Sequence, residues 1–166
     1  MIKTGDTLPD VTLYQYSNGE GGCAIGPNAF SLHARCKQKK VVIFGLPGAF
    51  TPTCSQRHVP GYVAAAQDLF AVGVAEILCV SVNDAFVMNA WGVSLQVGDE
   101  VMMIGDGNGE FSEALGLTQD LSARGLGRRS QRYAMLVDDQ VVQYIAVESP
   151  GKFEVSDAAS LLAVLR

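Results

Sequence analysis

The sequence predicts an α/β fold: a mixed central sheet with helices on both faces and a β-hairpin at the N-terminus. Three observations carry this expectation. Two near-continuous apolar runs, residues 41–46 and 77–82, read as strands buried on both faces, which suits the middle of a covered sheet. Each is followed by a stretch that reads as a helix with one apolar face. Late in the chain the order changes, and two strand patterns joined by Asp138-Asp139-Gln140 form a hairpin ahead of a closing helix. Strand–helix units combined with a hairpin give a mixed sheet.

The elements follow in order. Residues 11–16 read as a strand, Ser17-Asn18-Gly19-Glu20-Gly21-Gly22 as a turn, and residues 23–25 as the returning strand. Residues 31–36 form a short helical stretch, and 37–40 a solvated basic tip before the strand 41–46. The helix expected over 54–72 turns Val59, Tyr62, Val63, Ala66, Leu69 and Phe70 inward, and Gly73 closes it. Pro60 falls inside it and is expected to kink it or end its first turn. After the strand 77–82, Asn83 or Asp84 caps a helix to residue 95, with Phe86, Val87, Ala90 and Trp91 on its inner face. A short strand at 101–104 precedes the Asp106-Gly107-Asn108-Gly109 turn and a short helix to 115. Residues 117–129 read as irregular. Strands at 132–137 and 141–147 follow, and Ser156 or Asp157 caps the last helix, to 165. No repeat, low-complexity tract or linker interrupts the 166 residues, so a single domain over 1–166 is expected.

Composition excludes several classes. A net charge of −5 argues against a nucleic-acid or anionic-membrane partner. No apolar run approaches the roughly 20 residues that span a bilayer. Residues 1–6 carry no signal-peptide core, so a cytoplasmic protein or an already trimmed mature chain is expected, the cytoplasm first. Four cysteines, Cys23, Cys36, Cys54 and Cys79, are too few and too scattered for a disulfide scaffold. Cys54 is followed by Ser55-Gln56-Arg57, so it has no Cys-x-x-Cys partner. His33-x-x-Cys36 has no second pair at zinc-site spacing, and neither a metal nor a cofactor is expected. The glycines of residues 105–109 lack nucleotide-loop spacing.

The chemistry concentrates in Val41-Val42-Ile43-Phe44-Gly45-Leu46-Pro47-Gly48-Ala49-Phe50-Thr51-Pro52-Thr53-Cys54. A buried strand runs into a Pro/Gly turn and delivers one cysteine where a helix begins. A helix N-terminus presents unpaired N–H groups and partial positive charge, both of which favour an anion. Thr51 stands three residues earlier, at capping distance, with a hydroxyl that can point at the sulfur. Pro47 and Pro52 stiffen the approach. A plain reading makes Cys54 a small buried residue at a strand–helix junction. The Pro-x-x-x-Thr-x-x-Cys spacing favours a reactive thiolate over it. His58, one turn on, reads as a packing or surface histidine. Phe50 and Phe86 read as apolar walls of the site or as core. Glu148 and Ser149 read as ordinary strand-end residues.

Pro47-Gly48-Ala49-Phe50-Thr51-Pro52-Thr53-Cys54 resembles the peroxidatic motif of the peroxiredoxins. With His58-Val59-Pro60-Gly61 it resembles the type II, peroxiredoxin-five group. The likeness continues through Ser81-Val82-Asn83-Asp84, Ala90-Trp91, Gly125-Leu126-Gly127 and Arg129-Ser130-Gln131-Arg132-Tyr133, nearly the whole chain. It implies a thioredoxin-like fold and a thiol-dependent peroxidase acting on hydrogen peroxide and small organic hydroperoxides. It implies that Cys54 is the peroxidatic nucleophile and that Thr51, the Cys54 backbone N–H and Arg132 bind the peroxide, with Phe50 at the margin. Pro47 shields the site from water, and Arg128 and Arg129 take lesser roles. By itself Arg132 reads as a solvated strand-end charge, so its role rests on the resemblance.

Residues 148–166 contain no cysteine, so the intramolecular resolving partner that some members use is missing. Cys79 sits in an apolar strand, and Cys23 and Cys36 match no resolving position. The likeness therefore implies an external thiol, glutathione with glutaredoxin first and thioredoxin second. It also implies a homodimer. Cys54 must leave its helix to meet that thiol, so local unwinding is expected, eased by Pro60. Two other readings use the same residues: a peroxide sensor that oxidises once, and a binding module with an inert Cys54.

Overall fold

A computed structural model describes residues 1–19 and 25–166. Seven strands form one mixed sheet in the order β2-β1-β5-β4-β3-β8-β9. At its centre, β3 (Lys40–Gly45) runs parallel to β4 (Glu76–Ser81), and β4 runs parallel to β5 (Met102–Gly105). β8 (Tyr133–Asp138) lies antiparallel on the other side of β3, and β9 (Val141–Val147) closes that edge. The opposite edge is the antiparallel pair β1 (Thr12–Ser17) and β2 (Gly26–Ser31), with β1 antiparallel to β5. The expected mixed sheet and N-terminal hairpin are therefore present.

Helices cover both faces. Along β3, Val42 and Phe44 point to one core and Val41 and Ile43 to the other, and all four are fully buried. The first core receives α2 (Val59–Ala71), α3 (Ala85–Ser94) and α5 (Ala158–Leu165) through Tyr62, Leu69, Met88, Trp91 and Leu161. The second receives α1 (Leu32–Cys36) and α4 (Glu110–Leu115) through Leu32, Phe111 and Leu115. Side-chain caps set three starts: Ser31 for α1, Asp84 for α3 and Asp157 for α5 each accept a backbone N–H from the first turn. Gly73, at φ 97°, ends α2 as expected.

Four expectations need correction. The described returning strand is 26–31; of the expected 23–25, Ile25 is an exposed bend, and Cys23 and Ala24, like turn residues 20–22, lie outside the described residues. Pro27 and Asn28 hide this strand from a propensity reading, and an edge position is where a strand tolerates proline. Residues 117–129 are not wholly irregular: β6 (Thr118–Asp120) pairs with β7 (Arg128–Ser130), joined by a tight turn at Ser122–Arg124. The inner face of α3 is Ala85, Met88, Trp91 and Gly92; Phe86 is 53% exposed and Ala90 faces out. Two of the four inward residues, Ala85 and Gly92, are small, and an almost uniformly apolar helix conceals its own orientation. The stretch that starts α2 is not α-helical but a π-turn, Cys54–His58.

Candidate active site

The site lies at the carboxyl end of β3, which is flanked by the parallel β4 and the antiparallel β8. Leu46 N–H still bonds Val80 O at 3.2 Å, after which the chain leaves the sheet. The end of β4 holds the loop that follows. Ser81 Oγ donates to Asn83 Oδ1 at 2.8 Å and lies 3.2 Å from Leu46 O, and Asn83 Oδ1 also accepts from Ala49 N–H at 3.0 Å. Arg129 holds the loop from the other side, with Nη1 on the Pro47 carbonyl at 3.3 Å and Nε on Leu126 O at 2.8 Å. Gly48 makes room for this contact, since a Cβ there would lie 2.8 Å from Arg129 Nη1. Arg129 therefore positions Pro47 rather than the sulfur. Phe50 takes φ 63°, a strained value for a bulky side chain, as the chain turns into the helix. It is 58% exposed, with its ring 6.4 Å from Trp91, so it belongs to the surface and not to the core.

The helical stretch opens on Thr51, whose carbonyl accepts the Ser55 N–H at 3.0 Å. Pro52 then stands at the first helical position, where a missing N–H costs nothing. Thr53 and Cys54 carry the leading N–H groups, which have no acceptor within the helix. Thr51 does not cap them with its side chain: its hydroxyl donates to Gly48 O at 2.7 Å, so the expected donor contact from Thr51 to the sulfur is not made. Trp91 Nε1 pins the same turn through Ser55 Oγ at 3.0 Å. Pro60 explains the π-turn. An α-helix would drive its ring into the carbonyl four residues back. Opening the turn avoids this, and Val59 N–H reaches Cys54 O instead.

Cys54 is fully buried, and its Sγ accepts a hydrogen bond from Arg132 Nη2 at 3.3 Å. Arg132 immediately precedes β8, and Gly45 places it. Gly45 pairs with Tyr133 across the β3–β8 ladder, and a Cβ at Gly45 would stand 2.2 Å from the Tyr133 ring. Without that Cβ the buried Tyr133 ring lies across the strand, and the neighbouring Arg132 is delivered to the end of β3. Arg132 Nη1 also meets His58 Nδ1 at 2.9 Å. The arrangement sets a permanent cation against one buried sulfur at the start of a helical stretch.

His58 is fully buried, and sequence reasoning underrated it. Its Nε2 contacts Ser156 O at 3.1 Å, and its ring packs between Phe44 and Phe153. Burial, then the Arg132 charge, pushes its pKa down to about 3. Its Cys-x-x-x-His spacing was the available signal; burial of the ring was not readable from sequence. Glu148, expected to be ordinary, is 6% exposed, and its Oε1 accepts four hydrogen bonds from residues 154–156. Burial raises its pKa, but those bonds outweigh it and hold the carboxylate below its usual range. Cys36 and Cys79 are fully buried thiols: burial pushes Cys36 up to about 11 and Cys79 well above its ordinary value.

The His58 shift has a measurable consequence. Unfolded, the imidazole takes a proton near pH 6.5; folded, it refuses one until about pH 3. Below pH 6.5 the unfolded chain therefore binds more protons, and stability falls as pH falls. Between pH 7.5 and 5.0 the loss from this group is about 2 kcal/mol. Glu76, Glu148 and Asp157 are held low and keep their contributions through this window, while Asp106, pushed up by burial, acts in the opposite sense. Urea unfolding at the two pH values checks this. His58→Asn, which cannot titrate, should lose most of the drop, and an unchanged drop would assign it elsewhere.

A surface cavity of about 580 Å³ lies beside this site rather than on it, lined by Arg57, His58, Phe153 and the facing sides of α2 and α5. No cysteine lines it. Among the described residues, no group of three His, Cys, Asp or Glu side chains could hold a metal, and no helix is long and apolar enough to cross a membrane.

Known proteins similar to this chain show its family. The Redoxin family model matches residues 3–162. Peroxiredoxin-2B of Arabidopsis thaliana is 45% identical over 164 residues, covering 99% of this chain and 98% of that protein. The chloroplastic Peroxiredoxin-2E of the same plant is 49% identical, over 99% of this chain and 69% of its own length. Among solved structures, reduced Prx3 of Vibrio vulnificus in complex with hydrogen peroxide superposes with a TM-score of 0.93 at 46% identity, covering 100% of both chains. With the thioredoxin-like mixed sheet and a buried cysteine under an arginine already established, these matches show that the chain belongs to the Redoxin family and, within it, to the type II peroxiredoxins, which are thiol-dependent peroxidases.

Proposed function

We propose that this protein reduces hydrogen peroxide and small organic hydroperoxides at Cys54 and is recycled by glutathione with glutaredoxin, with thioredoxin second. The observation that carries this reading is the 3.3 Å contact from the half-buried Arg132 Nη2 to the fully buried Cys54 Sγ. The thiolate attacks one peroxide oxygen, an S–O bond forms and the O–O bond breaks. The electron pair leaves on hydroxide or alkoxide, which takes a proton from solvent, and the sulfur is left as sulfenic acid. Arg132 faces the charge developing on the oxygens, and the Cys54 N–H supplies a further donor. Thr51 is the third peroxide-binding group; with its proton on Gly48, its oxygen is the part free to accept one from the peroxide. Pro47 shields the sulfur, and the exposed Phe50 ring borders the entrance.

Recycling by an outside thiol is supported by the two other described cysteines, both buried and both held protonated. One glutathione converts the sulfenic acid to a mixed disulfide and water, and a second thiol releases Cys54 with oxidised glutathione. A reducing compartment such as the cytoplasm supplies that thiol, although a relative is chloroplastic. Exposed Phe50, Phe86 and Val93 give apolar surface for a homodimer. The test is steady peroxide consumption with glutathione plus glutaredoxin and, separately, with thioredoxin plus its reductase. Sustained turnover that is faster with glutathione is expected. Faster turnover with thioredoxin reverses the order of reductants, and consumption that stops after one equivalent with both marks a sensor instead.

A further inference from the structure

Arg132 carries a full charge to a buried sulfur, yet among the described residues it takes part in none of the ion pairs. Its Nη1 is held by His58 Nδ1 instead. A carboxylate at that place would orient the guanidinium equally well but would neutralise it. A neutral imidazole orients it and leaves the charge to the sulfur. To do so, His58 must present a lone pair at Nδ1 and carry its proton on Nε2. The Ser156 carbonyl can only accept, so its 3.1 Å contact with Nε2 selects that tautomer. The same carbonyl accepts the Tyr62 hydroxyl at 2.9 Å.

Glu148 fixes that carbonyl. Its Oε1 accepts the backbone N–H groups of Glu154, Val155 and Ser156 and the Ser156 hydroxyl, each at 2.8 Å. Three consecutive N–H groups converging on one charged oxygen clamp the segment. Glu148 N–H in turn bonds the Arg132 carbonyl at 2.9 Å, so the relay closes on the residue that it orients. Glu148, Ser156 and His58 are all buried.

We propose that His58 and Glu148 are positioning residues for Arg132: Glu148 fixes the Ser156 carbonyl, that carbonyl fixes the His58 tautomer, and His58 holds the guanidinium on Cys54 without neutralising it. The inference rests on the peroxidase reading above. It predicts that both residues affect the reaction only through Arg132, which a merely structural role would not.

The experiment is single-turnover oxidation of the pre-reduced protein by hydrogen peroxide, with sulfenic acid counted by mass after quenching. His58→Leu should slow oxidation roughly tenfold and Glu148→Ala about fivefold. His58→Asn keeps an acceptor at the δ position and Glu148→Gln keeps a carbonyl oxygen for the clamp, so both should recover most of the rate. In an Arg132→Met background, each change should alter the rate by less than about twofold. If His58→Leu does not fold, the Asn, Ala and Gln variants carry the same comparison. Equal slowing in both backgrounds, or no slowing in either, overturns the relay. If the wild type itself forms no sulfenic acid, the peroxidase reading fails and the relay with it.

Discussion

Cys54→Ser is expected to leave a folded protein that consumes no peroxide above background. Serine nearly matches the buried thiol in volume, and its oxygen can accept the Arg132 bond in place of Sγ. Its hydroxyl, however, stays protonated under conditions where a supported thiol ionises, so the nucleophile is lost and the pocket is kept. Removing a sole nucleophile costs at least about 10⁴-fold in rate. Peroxide consumption alongside circular dichroism separates lost chemistry from lost fold. Retained turnover would move the nucleophile to another cysteine, against the burial and raised pKa of Cys36 and Cys79.

The second large effect is at Arg132. Arg132→Met keeps an unbranched apolar stem but removes the charge and both terminal donors. On the proposed mechanism the sulfur loses its cation, and the O–O bond breaks without a donor facing the leaving oxygen. Loss of one such group costs about 10²–10³-fold. Stopped-flow mixing with peroxide should read that slowing in the oxidation step whichever thiol recycles the enzyme. Arg132→Lys should fall between the two: it restores charge, but a single ammonium has no planar fork to span Cys54 and His58. A wild-type rate in Arg132→Met would remove the guanidinium from the chemistry. The variant should also lose about 1–3 kcal/mol of stability, because His58 Nδ1 is left buried and unpaired.

Much of this was legible in the sequence because the signals are local. The runs at 41–46 and 77–82, the Asp138–Gln140 turn and the cysteine behind a Pro/Thr turn each announce themselves within a few residues. What escaped depends on partners far along the chain. His58 becomes part of the site only when Ser156 and Arg132, 98 and 74 residues away, close around it. Glu148 looks like a strand-end charge until the segment 154–156 folds back on it. The Thr51 hydroxyl was expected on the sulfur, but Gly48 O, three residues back, takes its proton first. The α3 face was misread because Phe86 is larger than Ala85, and hydrophobicity alone does not distinguish an inward alanine from an outward phenylalanine. The π-turn follows from Pro60, and a proline inside an apolar period signals only that something must give.

The Gly45–Tyr133 contact limits how this enzyme can be engineered. Filling glycines with alanine is a common route to stabilisation, because it restricts the unfolded chain. Position 45 is closed to it: the added methyl meets the buried Tyr133 ring at 2.2 Å, beside the residue that carries the guanidinium. A redesign that changes either residue has to change both together, as one lock between the core and the reactive end of the strand.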